Sequence, residues 1–422
     1  MELLESQDIL EKEKTSQGIL ENIIPSKLNM NARYFLVGGV TNGISNGVFN
    51  AVMQLYLISL GFEATSLGKI FMMNSLGSTI LTVPAGILSD RYGKRKMIIA
   101  GFVSIIISML SFFTAKSVTG FALSFLLIGV CNSTGTVLTP LYSSFFSEED
   151  MDKAFSLWGL LNILAMSIGS LAGYLPSYLV ASMSFSLPAA YRYTMLMAGS
   201  LFVAQFLFYF LSSSNIEETL KDDFSFHLSS WKIVLKICGL TLLVNIAGGV
   251  MFSLFPYYVN QKFGVESAGL GTMFFISNLV MAISKGSAAL LSKRIGSLQS
   301  ITLGIAASAI FLLVFPLAPT FAFLSILYIL RMGTRFISDP LITSLFMKRL
   351  AEEEKSTANS LRLISLNGSG VLSPWLGGIM IDKIGVESPA YIGGAITLIA
   401  SALYPLLLRR EVQMLENNNS VS

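Results

Sequence analysis

The feature that most constrains this chain is a series of twelve long apolar runs, over 33–60, 66–88, 97–115, 119–145, 155–181, 192–213, 231–260, 267–291, 298–317, 319–346, 357–382 and 388–408. A hydrocarbon slab of about 30 Å is crossed by roughly twenty apolar residues in a helix, so each run is long enough to span. Outer-membrane barrels show short alternating segments instead, and these runs do not alternate. Only 13% of the residues are charged, against roughly 25% in soluble domains, which leaves too little charge to solvate a soluble surface. An all-α integral membrane protein follows, with the lipid bilayer as its first partner.

Basic residues set the expected orientation. With both termini on one side, Lys12, Lys14, Lys27, Arg33, Arg91, Lys94, Arg95, Lys96, Lys348, Arg349, Arg409 and Arg410 share that side, while the opposite loops hold Lys116, Arg192, Lys262 and Lys383. The positive-inside rule then places both termini in the cytoplasm of a cell-membrane protein. The net charge of +3 comes from that bias and argues for no nucleic-acid partner. Met1 to Met30 lacks the apolar core of a cleavable leader and reads as a polar tail. Cys131 and Cys238 fall inside runs and the one histidine, His227, has no ligand-type neighbours, so neither a disulfide, a metal nor a cofactor is expected.

The runs form two related sets. Gly61-Phe62-Glu63-Ala64-Thr65-Ser66-Leu67-Gly68 reappears as Gly264-Val265-Glu266-Ser267-Ala268-Gly269-Leu270-Gly271, and Leu88-Ser89-Asp90-Arg91-Tyr92-Gly93 as Leu291-Ser292-Lys293-Arg294-Ile295-Gly296. Both pairs share an offset of 203 (264 − 61 and 294 − 91), and chance matches would not share a register. The expected organisation is a tail over 1–32, a six-helix bundle over 33–213, a linker over 214–230, a second bundle over 231–410 and a tail over 411–422.

Gly86-Ile87-Leu88-Ser89-Asp90-Arg91-Tyr92-Gly93-Lys94-Arg95-Lys96 resembles the signature between helices 2 and 3 of the major facilitator superfamily. That resemblance implies twelve helices in two pseudo-symmetric bundles, transport by alternating access, and a cytoplasmic gate built on Gly86, Asp90, Arg91, Gly93, Lys94 and Arg95. It also implies that Asp90 latches the start of helix 11, near Thr357 and Arg362. In elementary terms Gly86 would admit a close neighbour, Gly93 a tight turn, and Asp90 would need a cation or a helix N-terminus as partner. The alternative is that the cations only set topology.

Polar groups inside the runs mark candidate substrate contacts, because they are costly against lipid. Asn42, Asn46, Asn50 and Gln54 recur every fourth residue and form one amide stripe on helix 1. The repeat maps it onto Asn245, Ser253 and Tyr257 of helix 7. A cavity wall is the favoured reading of the stripe and interhelical glue the alternative; for Asn132, Asn162 and Asn278 the two stand even. Helix 10 carries Arg331, Arg335 and Asp339 at four-residue spacing, with Lys285 on helix 8. These residues suit an anion-attracting cavity, a proton site in which Asp339 titrates against Arg335, or a structural brace that includes Arg362.

Two departures bear on coupling. Helix 4 has Cys131 and Asn132 where many proton-coupled members of the resembled family carry arginine, and helix 5 lacks the Gly-Pro pair of many drug–proton antiporters. No nucleotide loop or catalytic constellation occurs, so an enzyme or primary pump is not expected. The leading expectation is a monomeric secondary transporter exporting a small amphipathic or drug-like solute with proton coupling. Uptake of a polar metabolite (a sugar, an amino-acid derivative or an organic anion) comes next, and a non-transporting sensor on the same fold last.

Overall fold

The computed structural model describes residues 25, 27–214, 230–350 and 354–421, without the side chains of Asp90, Glu148, Ala289, 355–357 and 410–421. Most of the expected N-terminal tail and linker, and the side chains of the expected C-terminal tail, lie outside these described residues. Among them every regular element is helical. The rods are α1 (Met30–Ser59), α2 (Ala64–Tyr92), α3 (Lys94–Thr114), α4 (Val118–Ser143), α5 (Glu149–Met183), α6 (Leu187–Ser212), α7 (Trp231–Phe263), α8 (Ser267–Ile295), α9 (Ser297–Leu317), α10 (Phe321–Lys348), α11 (Lys355–Lys383) and α12 (Ser388–Val421).

Ten of these rods are long and apolar enough to cross a membrane; α1 and α11 are the two that are not. The amide stripe of α1 and the polar N-terminal turns of α11 lower their apolarity, and both are enclosed by neighbours. Rod α1 packs on α5 and α6, and α11 packs on α2 and α7. The outward faces carry the lipid-type surface instead, with Ile283, Leu290, Leu110, Leu235 and Leu406 all more than three-fifths exposed.

The matched repeats share backbone conformations. Gly93 closes α2 with φ +96° and ψ 149°, and Gly296 closes α8 with φ +87° and ψ 152°. Each donates its N–H to the serine carbonyl four residues back, Ser89 and Ser292 respectively, at 2.9 Å. At positive φ a Cβ is strained, which is why the glycines recur at the same offset. Inside the membrane zone serine hydroxyls satisfy themselves on helix carbonyls, as Ser45 does on Ala198 O at 2.6 Å and Ser108 on Ser124 O at 2.8 Å.

The two sequence halves meet at the end remote from the termini, through α2 against α11 and α5 against α8. Backbones approach closely there because glycines permit it. A Cβ on Gly173 would lie 2.2 Å from Ser267 O, and one on Gly271 2.3 Å from Ser170 O. In the pseudo-equivalent interface, a Cβ on Gly68 would lie 2.3 Å from Pro374 O and one on Gly378 2.5 Å from Ala64 O. Polar contacts reinforce the same end. Thr65 N–H, in the first turn of α2, donates to Asp382 Oδ2 at 2.7 Å, and Ser267 Oγ donates to Gly173 O at 2.7 Å.

Candidate central cavity

Two chambers of about 340 Å³ each lie between the halves, in the size range of small-molecule sites, and a third of about 220 Å³ adjoins them within the second half, walled by α7, α10 and α12. Phe252 of α7 lines all three. The first takes amides from the first half (Asn46, Asn50, Gln54, Asn74 and Asn132) against Phe71, Phe125 and Phe202. The second lies under α8 and α10 and brings in Asn278, Phe274 and Tyr328. The third is the charged one, with Arg331, Arg335, Asp339 and Asn245.

The α1 stripe divides by position along the helix. Asn42 does not line the chambers: its Nδ2 donates to Gln205 Oε1 at 2.5 Å, while Asn162 Nδ2 donates to Gly39 O at 3.1 Å and reaches Asn42 Oδ1 at 3.4 Å. These bonds join α1, α5 and α6, which is the interhelical role weighed as the alternative for the stripe and for Asn162. Asn46 bonds back to Asn42 and also faces the first chamber, where Asn50 joins it.

Gln54 does something the stripe did not reveal. Rod α7 breaks at Ser253 and Leu254, ahead of Pro256. In an unbroken helix Tyr257 N–H would donate to Ser253 O. Here the Gln54 amide stands between them, donating Nε2–H to Ser253 O at 2.9 Å and accepting from Tyr257 N–H at 3.2 Å. One side chain from the first half thus satisfies both backbone groups freed in the second. Ser253 lines the first chamber, while Tyr257 is buried in the seal and lines none of the three.

The gate signature lies at the other end. A Cβ on Gly86 would meet nothing within 4 Å, so the expected close approach is absent here. Lys94 Nζ donates to Pro140 O at 3.2 Å and Arg95 lies 4.5 Å over the Phe210 ring, so both brace the first half. Arg91 stands 5.7 Å from the neighbouring Tyr92 ring. The Asp90 side chain and the Thr357 side chain, the two ends of the expected latch, lie outside the described residues.

In the second half, Arg335 Nη1 donates to Asp339 Oδ1 at 2.5 Å, forming an i,i+4 ion pair, and Nη2 reaches Asn245 Oδ1 at 3.4 Å. Arg362 does not join that pair directly; its Nη2 donates to Thr343 Oγ1 at 2.7 Å, one turn further along α10. Lys285 is exposed and lies 4.9 Å from the centre of the Phe336 ring. Arg331 is only 5% exposed, stacks 3.5 Å above Phe252, and its Nε has no hydrogen-bond partner.

This arrangement of helices around a central chamber is matched by known proteins. The family model of the Major Facilitator Superfamily matches residues 35–361 and, in a second match, 237–421. The chain belongs to the major facilitator superfamily and is a multi-pass membrane transport protein of that class. An uncharacterized MFS-type transporter of Methanocaldococcus jannaschii is 22% identical over 386 residues, covering 85% of this chain and 93% of that one. The multidrug resistance protein MdtG of Salmonella arizonae is 23% identical over 286 residues, covering 65% and 68%. Among solved structures, a bacterial homologue of the iron transporter ferroportin in its inward-facing state superposes with a TM-score of 0.73 at 14% identity, covering 90% of this chain and 99% of that one.

Proposed function

We propose that the chain is a secondary active transporter of the cell membrane that moves a small organic solute through the central chambers by alternating access. The observation that carries this reading is the pair of chambers between the halves, above which Gln54 and the four glycine contacts join the halves at one end. With α1 and α11 counted as spans, the chain crosses twelve times in two six-helix bundles, both termini are cytoplasmic by the positive-inside rule, and the sealed end faces outward. The conformation is then inward-facing, like that of the ferroportin homologue. Asp90 would latch α11 when the cytoplasmic end closes.

Efflux of amphipathic compounds is the favoured direction, supported by the aromatic walls and the likeness to a protein named for multidrug resistance. Uptake of a polar metabolite is the second reading, favoured by the amides Asn46, Asn50, Asn132 and Asn278 in the walls. Proton coupling would rest on Asp339, the carboxylate of the charged chamber, against Arg335. The test is solute flux in proteoliposomes with and without a pH gradient. Asp339→Asn is expected to abolish gradient-driven flux and spare downhill exchange. Full gradient-driven flux in that variant would remove Asp339 from coupling.

A further inference from the structure

The charged chamber holds two guanidiniums and one carboxylate, and the carboxylate is already taken by Arg335. Arg331 is left with its Nε unpartnered and the face of Phe252 beneath it. A buried cation without a counter-ion is among the costliest arrangements in a low-dielectric interior, and a ring face offsets only part of that cost. Packing does not demand the charge, because aligning Pro140 with Pro340 puts Cys131, 3% exposed, at the pseudo-equivalent position of the first half. Space has also been kept for the guanidinium: a Cβ on Gly248 would come within 3.1 Å of Arg331 Nη2.

We infer that Arg331 is the anion subsite of the transported solute, and that the solute is an organic anion with a flat apolar body. Its carboxylate or sulfonate pairs with the Arg331 guanidinium. The body lies along Phe252 and Phe336 toward the two larger chambers, where apolar side chains replace water. Arg335 and Asp339 cancel one another, so the chamber offers one net positive charge and suits a monoanion over a dianion. Lys285, beside Phe336, adds a cation at the edge of the second chamber and draws anions inward. The inference rests on the reading that these chambers are the transport site.

The experiment compares matched probes, 1-naphthoate with 1-naphthamide, and 1-naphthalenesulfonate with its sulfonamide, by calorimetric titration of the purified full-length protein. Each acid should bind about ten- to a hundred-fold tighter than its neutral amide, as expected for hydrogen bonds to a buried charge. Arg331→Gln should erase that preference and keep naphthamide affinity. Gly248→Ala, which crowds the guanidinium without removing it, should weaken naphthoate binding alone and guards against a misfolded Arg331 variant. Equal affinity for acid and amide, no binding of either acid at millimolar concentration, or an acid preference that survives Arg331→Gln would overturn the subsite. Counterflow in proteoliposomes separates the two claims. Transport of naphthamide without acid preference would leave the transport reading standing and remove the anion subsite. Acid-selective binding with no counterflow of any probe would do the reverse.

Discussion

Replacing Gly173 by alanine should push the sealed end open. In α5 the new methyl carbon would lie 2.2 Å from Ser267 O, where an ordinary carbon–oxygen approach is about 3.3 Å. The helices must therefore separate by roughly 1 Å, and overpacking of this kind costs about 1–3 kcal/mol. That cost falls only on the state in which α5 and α8 touch. At about 1.4 kcal/mol per decade the equilibrium shifts about 5- to 140-fold toward a form open at that end. Spin labels on exposed Lys116 and Lys383, in a background with Cys131 and Cys238 replaced by alanine, would report the separation by electron–electron double resonance. Gly159→Ala is the control, since a Cβ there meets nothing within 4 Å in the same helix. Distance distributions of Gly173→Ala that match the parent and the control would refute the reasoning, because the seal would then not depend on backbone contact.

Two further outcomes follow from the same geometry. Gly93→Ala and Gly86→Ala should act with opposite signs on thermal stability. The first forces a side chain into φ +96° at about 1–3 kcal/mol, while the second adds a better helix former in open space, worth about 0.5–1 kcal/mol; equal melting temperatures would contradict this. Gln54→Leu leaves Ser253 O and Tyr257 N–H without their partner, at about 1–3 kcal/mol for each group left dry. Its melting temperature should fall and its labelled sealed end should widen, and an unchanged seal would mean that water replaces the amide.

The architecture was legible because its signals are local or periodic. Apolar run length gives the rods, and the shared offset of 203 gives both the duplication and the positive-φ turns at Gly93 and Gly296. The same repeat also contained the interface glycines, since Gly68 and Gly271 occupy one register, but nothing local marks a glycine as touching another helix. The partners of Gly173 and Gly378 are 94 and 314 residues away (267 − 173 and 378 − 64). For the same reason the four-residue period that groups Asn42 with Gln54 could not tell that Asn42 meets Gln205 of α6 while Gln54 meets α7. Asp382, whose carboxylate receives Thr65 N–H across the interface, carried no signal at all. Its role depends on where α11 ends relative to the start of α2.

The polarity of α1 bears on how the protein is made. A helix carrying four amides at one-turn spacing, and less apolar than the ten rods that qualify as spans, gains less from lipid alone than they do and more from partners that take up its amides. The Gln205 that receives Asn42 lies on α6, which ends at Ser212, 153 residues after Ser59 closes α1. At roughly 5–20 residues per second the nascent chain waits about 8–30 s for that partner. The contact of Asn42 with Gln205 thus closes late, after the whole first half has been made.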